Sequence, residues 1–469
     1  MPAFDLIIAN GTIATASESY AADIGIRDGR IVAIGEALNG ADEVVDATNK
    51  LVLPGGIDSH VHISQPSGPG IVMADDFESA TRAAAFGGNS TVMPYCLQQK
   101  GQSLRAALSD YHALAQGECH IDHSFHLIVS DPTESVLGQE LPALFADGYT
   151  SFKVFMTYEG LALDDYEMLS VLEVAREAGA LVQIHAENYD AIRFLTEKLE
   201  RAGRVAPHFH GRSRPIPVER EATHRAISLA ELIDVPIMIV HVSNREAMEA
   251  IRRAQARGLK VMGETCPQYL MLTEADMERT GTEGAKYVCS PPPRDVASQQ
   301  ACWEGLQQGV FSVFSSDHCP FRYEDEAGKL APKGRSSFRW IPNGIPGIET
   351  RLPILFSEGV VKGRISLQQF VALTATNHAR IYGLTGKGSI AIGYDADLAI
   401  WDPNLTRPIR QGELHHGADY TPFEGIEITG WPTSLIVRGS FVVRDGKLTG
   451  SKMQGRYLPR AKPLASLSR

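Results

Sequence analysis

Eight apolar, β-rich runs recur between residues 51 and 318 with helix-forming stretches between them, and this alternation limits the fold more than any other property of the chain. The runs are Leu51–His62, Ser90–Cys96, Ser124–Ser130, Ser151–Thr157, Leu181–Glu187, Pro236–Ser243, Lys260–Gln268 and Val310–His318. Strands buried on both faces read as continuous hydrophobic segments, and their alternation with helices is the pattern of βα units around a parallel sheet. Eight such units close as an α/β TIM (β/α)8 barrel. Between the strands, Asp165–Glu177 and Asn244–Arg257 carry an apolar stripe among helix formers, and Asn244 followed by Glu246 marks a helix start.

The two ends have a different texture, short strands joined by tight turns. Asp5–Ile8, Ile13–Thr15, Asp23–Ile26 and Ile31–Ile34 are punctuated by Asn10-Gly11 and Asp28-Gly29. Near the other end, Ala396–Trp401, Ser434–Val437 and Phe441–Arg444 come with Gly439-Ser440 and Asp445-Gly446. Asn-Gly and Asp-Gly accept the positive φ of two-residue hairpins. We expect these ends to pair into one small β-sandwich, with residues 1–53 and 385–449 as its parts, a catalytic barrel over 54–384 and a C-terminal segment over 450–469. A chain of 469 residues suffices for both units, since a single core stops growing near roughly 250–300.

Composition excludes several classes of partner. A net charge of −12 with no basic run argues against nucleic acid or an anionic membrane, because a phosphate-binding face shows as a basic excess. The first ten residues lack a basic n-region, and no apolar stretch approaches the roughly 18 residues of a spanning helix. Cys96, Cys119, Cys266, Cys289, Cys302 and Cys319 show no C-x-x-C spacing, which points to reduced thiols in a cytoplasm rather than a disulfide framework.

Barrels of this kind place their chemistry at the C-terminal ends of the strands, and six candidate metal ligands stand there. His60 and His62 lie at i and i+2, on one face of a strand, with Asp58 facing the same way as a supporting carboxylate. Lys153, inside Phe152-Lys153-Val154-Phe155-Met156, is expected to be buried, where a lone ammonium is costly. It either snorkels past the strand end or adds CO₂ as the neutral amine, giving an anionic carbamate that bridges two metals. His185 and His241 each fit a hydrogen-bonded core histidine when taken singly, and together suit a second ion. Asp317 can touch a metal and pass a proton to a leaving nitrogen. Tyr158 is placed either to donate to an oxyanion or to line the mouth. Ser290 and Asn343, in proline-bounded loops, offer fixed polar contacts to an amide or serve as plain turn residues, and Tyr323–Arg335 reads as a long loop shaping the mouth. The other histidines, His318 included, are read as structural.

These residues fall in motifs: Gly-Gly-Ile-Asp-Ser-His-Val-His at 55–62, Phe-Lys-Val-Phe-Met at 152–156, Gln-Ile-His-Ala-Glu-Asn at 183–188, His-Val-Ser at 241–243 and Ser-Ser-Asp-His-Cys-Pro-Phe at 315–321. With Ile341-Pro342-Asn343-Gly344, the set resembles the cyclic amidohydrolases, in their dihydropyrimidinase and hydantoinase branch. The resemblance implies hydrolysis of a cyclic amide C–N bond, in a dihydropyrimidine, a 5-substituted hydantoin or a related cyclic imide, to an N-carbamoyl amino acid or half-amide. It implies two divalent ions, most simply zinc, with His60, His62 and Asp317 on one, His185 and His241 on the other, and Lys153 bridging as N6-carboxylysine. Asp317 would shuttle the proton, Tyr158 would serve the oxyanion, and Ser290 and Asn343 would hold the substrate through their backbone. Members are commonly homotetramers or dimers, which would place an oligomer contact in 450–469.

Two departures from that pattern leave the substrate's substituent and its enantiomer open. Ile63-Ser64-Gln65-Pro66-Ser67-Gly68-Pro69 stands where relatives carry Leu-Asp-Met-Pro-Phe-Gly-Gly, and the second strand ends Val92-Met93-Pro94-Tyr95-Cys96 where Ile-Ile-Asp-Phe is usual. Ser64, where dihydroorotases place an arginine, disfavours that activity. Competing readings are an allantoinase-like activity, a non-catalytic scaffold of the same fold and a mononuclear deaminase. The filled ligand positions argue against the scaffold, and a deaminase would lack the bridging lysine.

Overall fold

The computed structural model describes residues 2–463. Its centre is a ring of parallel strands: β1 (Gly56–Val61), β2 (Asn89–Leu97), β3 (His126–Ile128), β4 (Ser151–Phe155), β5 (Leu181–His185), β6 (Ile237–Ile239), β7 (Val261–Thr265) and β8 (Phe311–Phe314). They pair in chain order. The ring closes at its mouth, where Val61 bridges His318 and the His62 N–H donates to the His318 carbonyl at 2.7 Å. Helices start where side chains satisfy their free N–H groups: Asp164 caps Asp165–Ala178, and Asn244 caps Arg245–Ala256.

The first apolar run is two strands rather than one. Leu51–Pro54 pairs with Leu398–Trp401 in a terminal sheet, and only from Gly56 does the chain enter the barrel. Gly55 makes the crossing possible, since a Cβ there would lie 2.5 Å from Ser90 Cβ. The terminal strands form two sheets, one of four strands from residues 4–46 and one of seven that mixes both ends of the chain. Leu6, Ile8, Ile24, Ile31, Val52, Leu398 and Ile436 fill the space between them. Asp28-Gly29 and Asp445-Gly446 are hairpin turns with positive φ at both residues. Asn10-Gly11 is not: Phe4–Ala9 lies in the four-stranded sheet and Thr12–Ala14 in the other, so this turn carries the chain from sheet to sheet.

Beyond the sandwich, residues 451–463 run back over the base of the barrel, with the Gly455, Leu458 and Arg460 N–H groups donating to Cys119, His123 and Gly148 carbonyls. The rest of the expected oligomer segment, 464–469, lies outside the described residues. The loop expected over Tyr323–Arg335 is irregular apart from one turn of helix, Pro332–Ser336. All six cysteines are free thiols. No helix among the described residues is long and apolar enough to cross a membrane.

Candidate active site and metal centre

Parity along the strands decides which side chains meet. On β5, Leu181, Gln183 and His185 turn into the barrel while Val182 and Ile184 pack outward with the helices. Lys153, paired in register with Gln183, turns inward on β4. It is the third of five residues in that strand, so it sits below the rim rather than at the strand end. His60 and His62 come from the end of β1, His241 follows β6, and Asp317 follows β8.

His60 Nε2 lies 3.1 Å and His62 Nε2 3.5 Å from Asp317 Oδ1. His185 Nδ1 and His241 Nε2 face each other at 2.9 Å, and the His60 and His241 rings are 5.3 Å apart. Burial holds His62 below the ordinary histidine value, and His185 and His241 well below it, so these rings are neutral, the form that ligates a metal. Burial and Lys153 pull His60 down as well, but Glu264 and Asp317 carry it above the ordinary value. Burial alone would raise the Asp317 carboxyl; His60, with hydrogen bonds from His60 and His62, holds it well below the usual carboxylate range.

Tyr158, His241 and Asp317 adopt φ of 74°, 41° and 51°. Such backbone costs about 1–3 kcal/mol per residue and persists where the surroundings over-determine it. Burial pushes the Tyr158 hydroxyl up to about 12, so it remains a donor. Asn343 Nδ2 approaches that hydroxyl at 3.5 Å. All nine residues singled out in the sequence line one cavity of about 990 Å³. That volume suits a small molecule.

The amidohydrolase family model matches residues 51–442, and the model of the urease alpha-subunit N-terminal domain matches 1–58. A D-hydantoinase of Ralstonia pickettii is 45% identical over 460 residues, covering 98% of this chain and 99% of its own. One from Geobacillus stearothermophilus is 47% identical, covering 97% and 96%. The crystal structure of a dihydropyrimidinase from Brevibacillus agri matches with a TM-score of 0.95 at 44% identity, covering 97% of this chain and 99% of that one. The chain belongs to the hydantoinase branch of the amidohydrolase family. It is a cyclic amidohydrolase.

The amidohydrolase family implies a binuclear metal centre, and the donor set fits one. The ligand atoms of His60, His62 and Asp317 lie within 4.8 Å of one another, and two neutral imidazole nitrogens face each other beside them. The carboxylate behind His60 is not Asp58, as parity suggested, but Glu264 on β7, whose Oε1 is 2.6 Å from His60 Nδ1 and also accepts the His241 N–H. Asp58 does not reach the His60 ring: it accepts the Ser316 N–H at 3.1 Å and the His60 backbone N–H at 3.4 Å, and lies 3.5 Å from Arg351. An acid inside the apolar run Val261-Met262-Gly263-Glu264-Thr265 was the visible signal for Glu264. Glu187 accepts from His185 Nε2 and from Arg214, each at 2.8 Å. Nothing local in the sequence marks Arg214. Lys329 is another site residue without a local signal in the sequence: its Nζ donates to the Val288 and Pro342 carbonyls at 2.7 and 2.6 Å, joining the loops that carry Ser290 and Asn343.

Proposed function

We propose that this amidohydrolase opens 5-substituted hydantoins and dihydropyrimidines to N-carbamoyl amino acids, using two zinc ions bridged by N6-carboxylated Lys153. The names of its relatives support the substrate class, and one observation carries the bridge. Of the three buried lysines among the described residues, Lys329 donates to two carbonyls and Lys387 to carboxylates, whereas Lys153, 1% exposed, has no hydrogen bond and no ion pair. Burial, opposed by Glu264 and Asp317, brings its amine down to about 8, so a neutral fraction is present near pH 7. When that nitrogen bonds to the carbon of CO₂ and releases a proton, an unpaired cation becomes a carboxylate at the foot of the cavity.

Two ions held there would supply Lewis acidity, polarising a carbonyl and making a water acidic near neutral pH. This chain's residues perform the remaining work. Asp317, ionised, takes the proton of the attacking water and delivers it to the ring nitrogen that leaves. Tyr158 donates to the carbonyl oxygen as that oxygen gains charge. The backbone at Ser290 and Asn343 orients the ring amide, and Lys329 keeps the two loops together.

Protein prepared with zinc and carbon-13 bicarbonate should show a carbamate carbon signal and open hydantoin rings. Absence of the signal, with no turnover of dihydrouracil, 5-substituted hydantoins or succinimide, would overturn the reading.

A further inference from the structure

The four histidines of the centre differ in what holds them from behind. Glu264 holds His60 and Glu187 holds His185, and both acids are fully buried parts of the barrel. His241 Nδ1 is buried without a hydrogen-bond partner. His62 alone is held by the mouth: its Nδ1 lies 2.7 Å from Oε1 of Gln65, a half-buried residue that also lines the cavity.

The local chain is shaped for this bond. The Tyr111 hydroxyl donates to the Ile63 carbonyl at 2.7 Å, and at Ser64 the backbone turns with φ of 47°, bringing Gln65 back over His62. Further on, residues 66–70 are exposed, and the loop is tied across the mouth by Val72 and Ala74 N–H groups that donate to Ala327 and Pro320 carbonyls, each at 2.9 Å. Chemistry decides the direction of the Gln65 bond. An imidazole that offers Nε2 to a cation carries its proton on Nδ1, so the ring donates and the amide oxygen accepts. A neutral amide raises the basicity of the ring less than a carboxylate does, and this one rides on a loop rather than on a barrel strand.

We propose that Gln65 is a positioning residue for His62, holding the ring in its ligating tautomer and tying retention of the ion at His60, His62 and Asp317 to the position of the mouth loop. The inference rests on the two-ion reading above and assumes nothing about the substrate.

The test mixes fully loaded protein, its zinc counted beforehand, with an excess of a chromogenic chelator and follows release of each ion. Gln65→Met and Gln65→Ala should speed the loss of one ion about tenfold while leaving the other unchanged. Gln65→Glu, which restores a carboxylate behind the ring, should slow that loss below the parent rate. Release unchanged in Gln65→Met, or accelerated alike for both ions, overturns the proposal. A parent protein holding fewer than two zinc ions overturns the two-ion reading and this one with it, so the starting stoichiometry tells the two failures apart.

Discussion

Two buried lysines at opposite ends of the barrel meet their charge in opposite ways. At the base, Lys387 lies 2.6 Å from Asp122, 2.7 Å from Asp397 and 3.0 Å from Asp395, and Arg438 pairs with the other oxygen of Asp122. The cluster ties the start of the barrel sheet to the strands Leu398–Pro408 and Glu427–Val437 of the terminal sandwich. Burial would lower Lys387, but Asp397 and Asp122 hold it above the ordinary lysine value. At the foot of the active-site cavity, Lys153 has no such partner and burial wins. A cluster closed by its own charges joins elements; one left open has room for a ligand.

The largest expected effect comes from removing the open lysine. Lys153→Ala should lose activity at least a thousandfold, about 4 kcal/mol of transition-state stabilisation, in steady-state assays of ring opening. The metal-free variant should unfold close to the denaturant concentration of the metal-free parent, since no hydrogen bond or ion pair is lost and only the ring-face contacts to Tyr95 and Phe155 go. Removing the closed lysine should do the reverse. Lys387→Ala removes the cation that Asp122, Asp397 and Asp395 share, leaving Arg438 on Asp122 and Arg30 on Asp395, and should cost about 3–5 kcal/mol in denaturant unfolding, while the folded fraction keeps its turnover number. A stable, fully folded Lys387→Ala protein would break the comparison.

Acid sharpens it through a gradual slope. His123 stands beside Asp122 at the base and His416 near Asp75 and His318, and burial holds both down to about 4 against an ordinary 6.5. The unfolded chain gains these protons below 6.5, whereas the folded chain resists them until about 4. The stability they preserve is therefore full above 6.5 and lost as pH falls between those values, at up to about 1.4 kcal/mol per pH unit for each histidine. Urea midpoints of metal-free protein between pH 7 and 4 measure this slope. His123→Gln and His416→Gln should each make it shallower.

Much of the site was legible because it is local. His60, His62, Lys153, His185, His241 and Asp317 each sit in or just after an apolar run, and inward parity over two or three residues is enough to bring them together. Partners from other strands were not legible. Asp58 has the right parity to support His60, yet it meets Ser316, Arg351 and only the backbone of His60, while Glu264, 204 residues away, holds the imidazole. Gln65 stood out as a departure from the family pattern, but its bond to His62 depends on a turn at Ser64 that no residue type announces. Asn10-Gly11 shows the same limit in the fold: the dipeptide specifies a turn, and which sheet the next strand joins is decided elsewhere.

From its sequence alone, this protein's alternation of strand and helix, the inward face of each strand and the kinds of atoms offered at the barrel mouth were determined, because hydrophobic period and turn chemistry act between near neighbours. Only the tertiary structure decided which buried charges are paired and which are left open, and which acid or amide stands behind each histidine. Desolvation and Coulomb attraction act through space, and the residues that settle them lie tens to hundreds of positions apart along the chain.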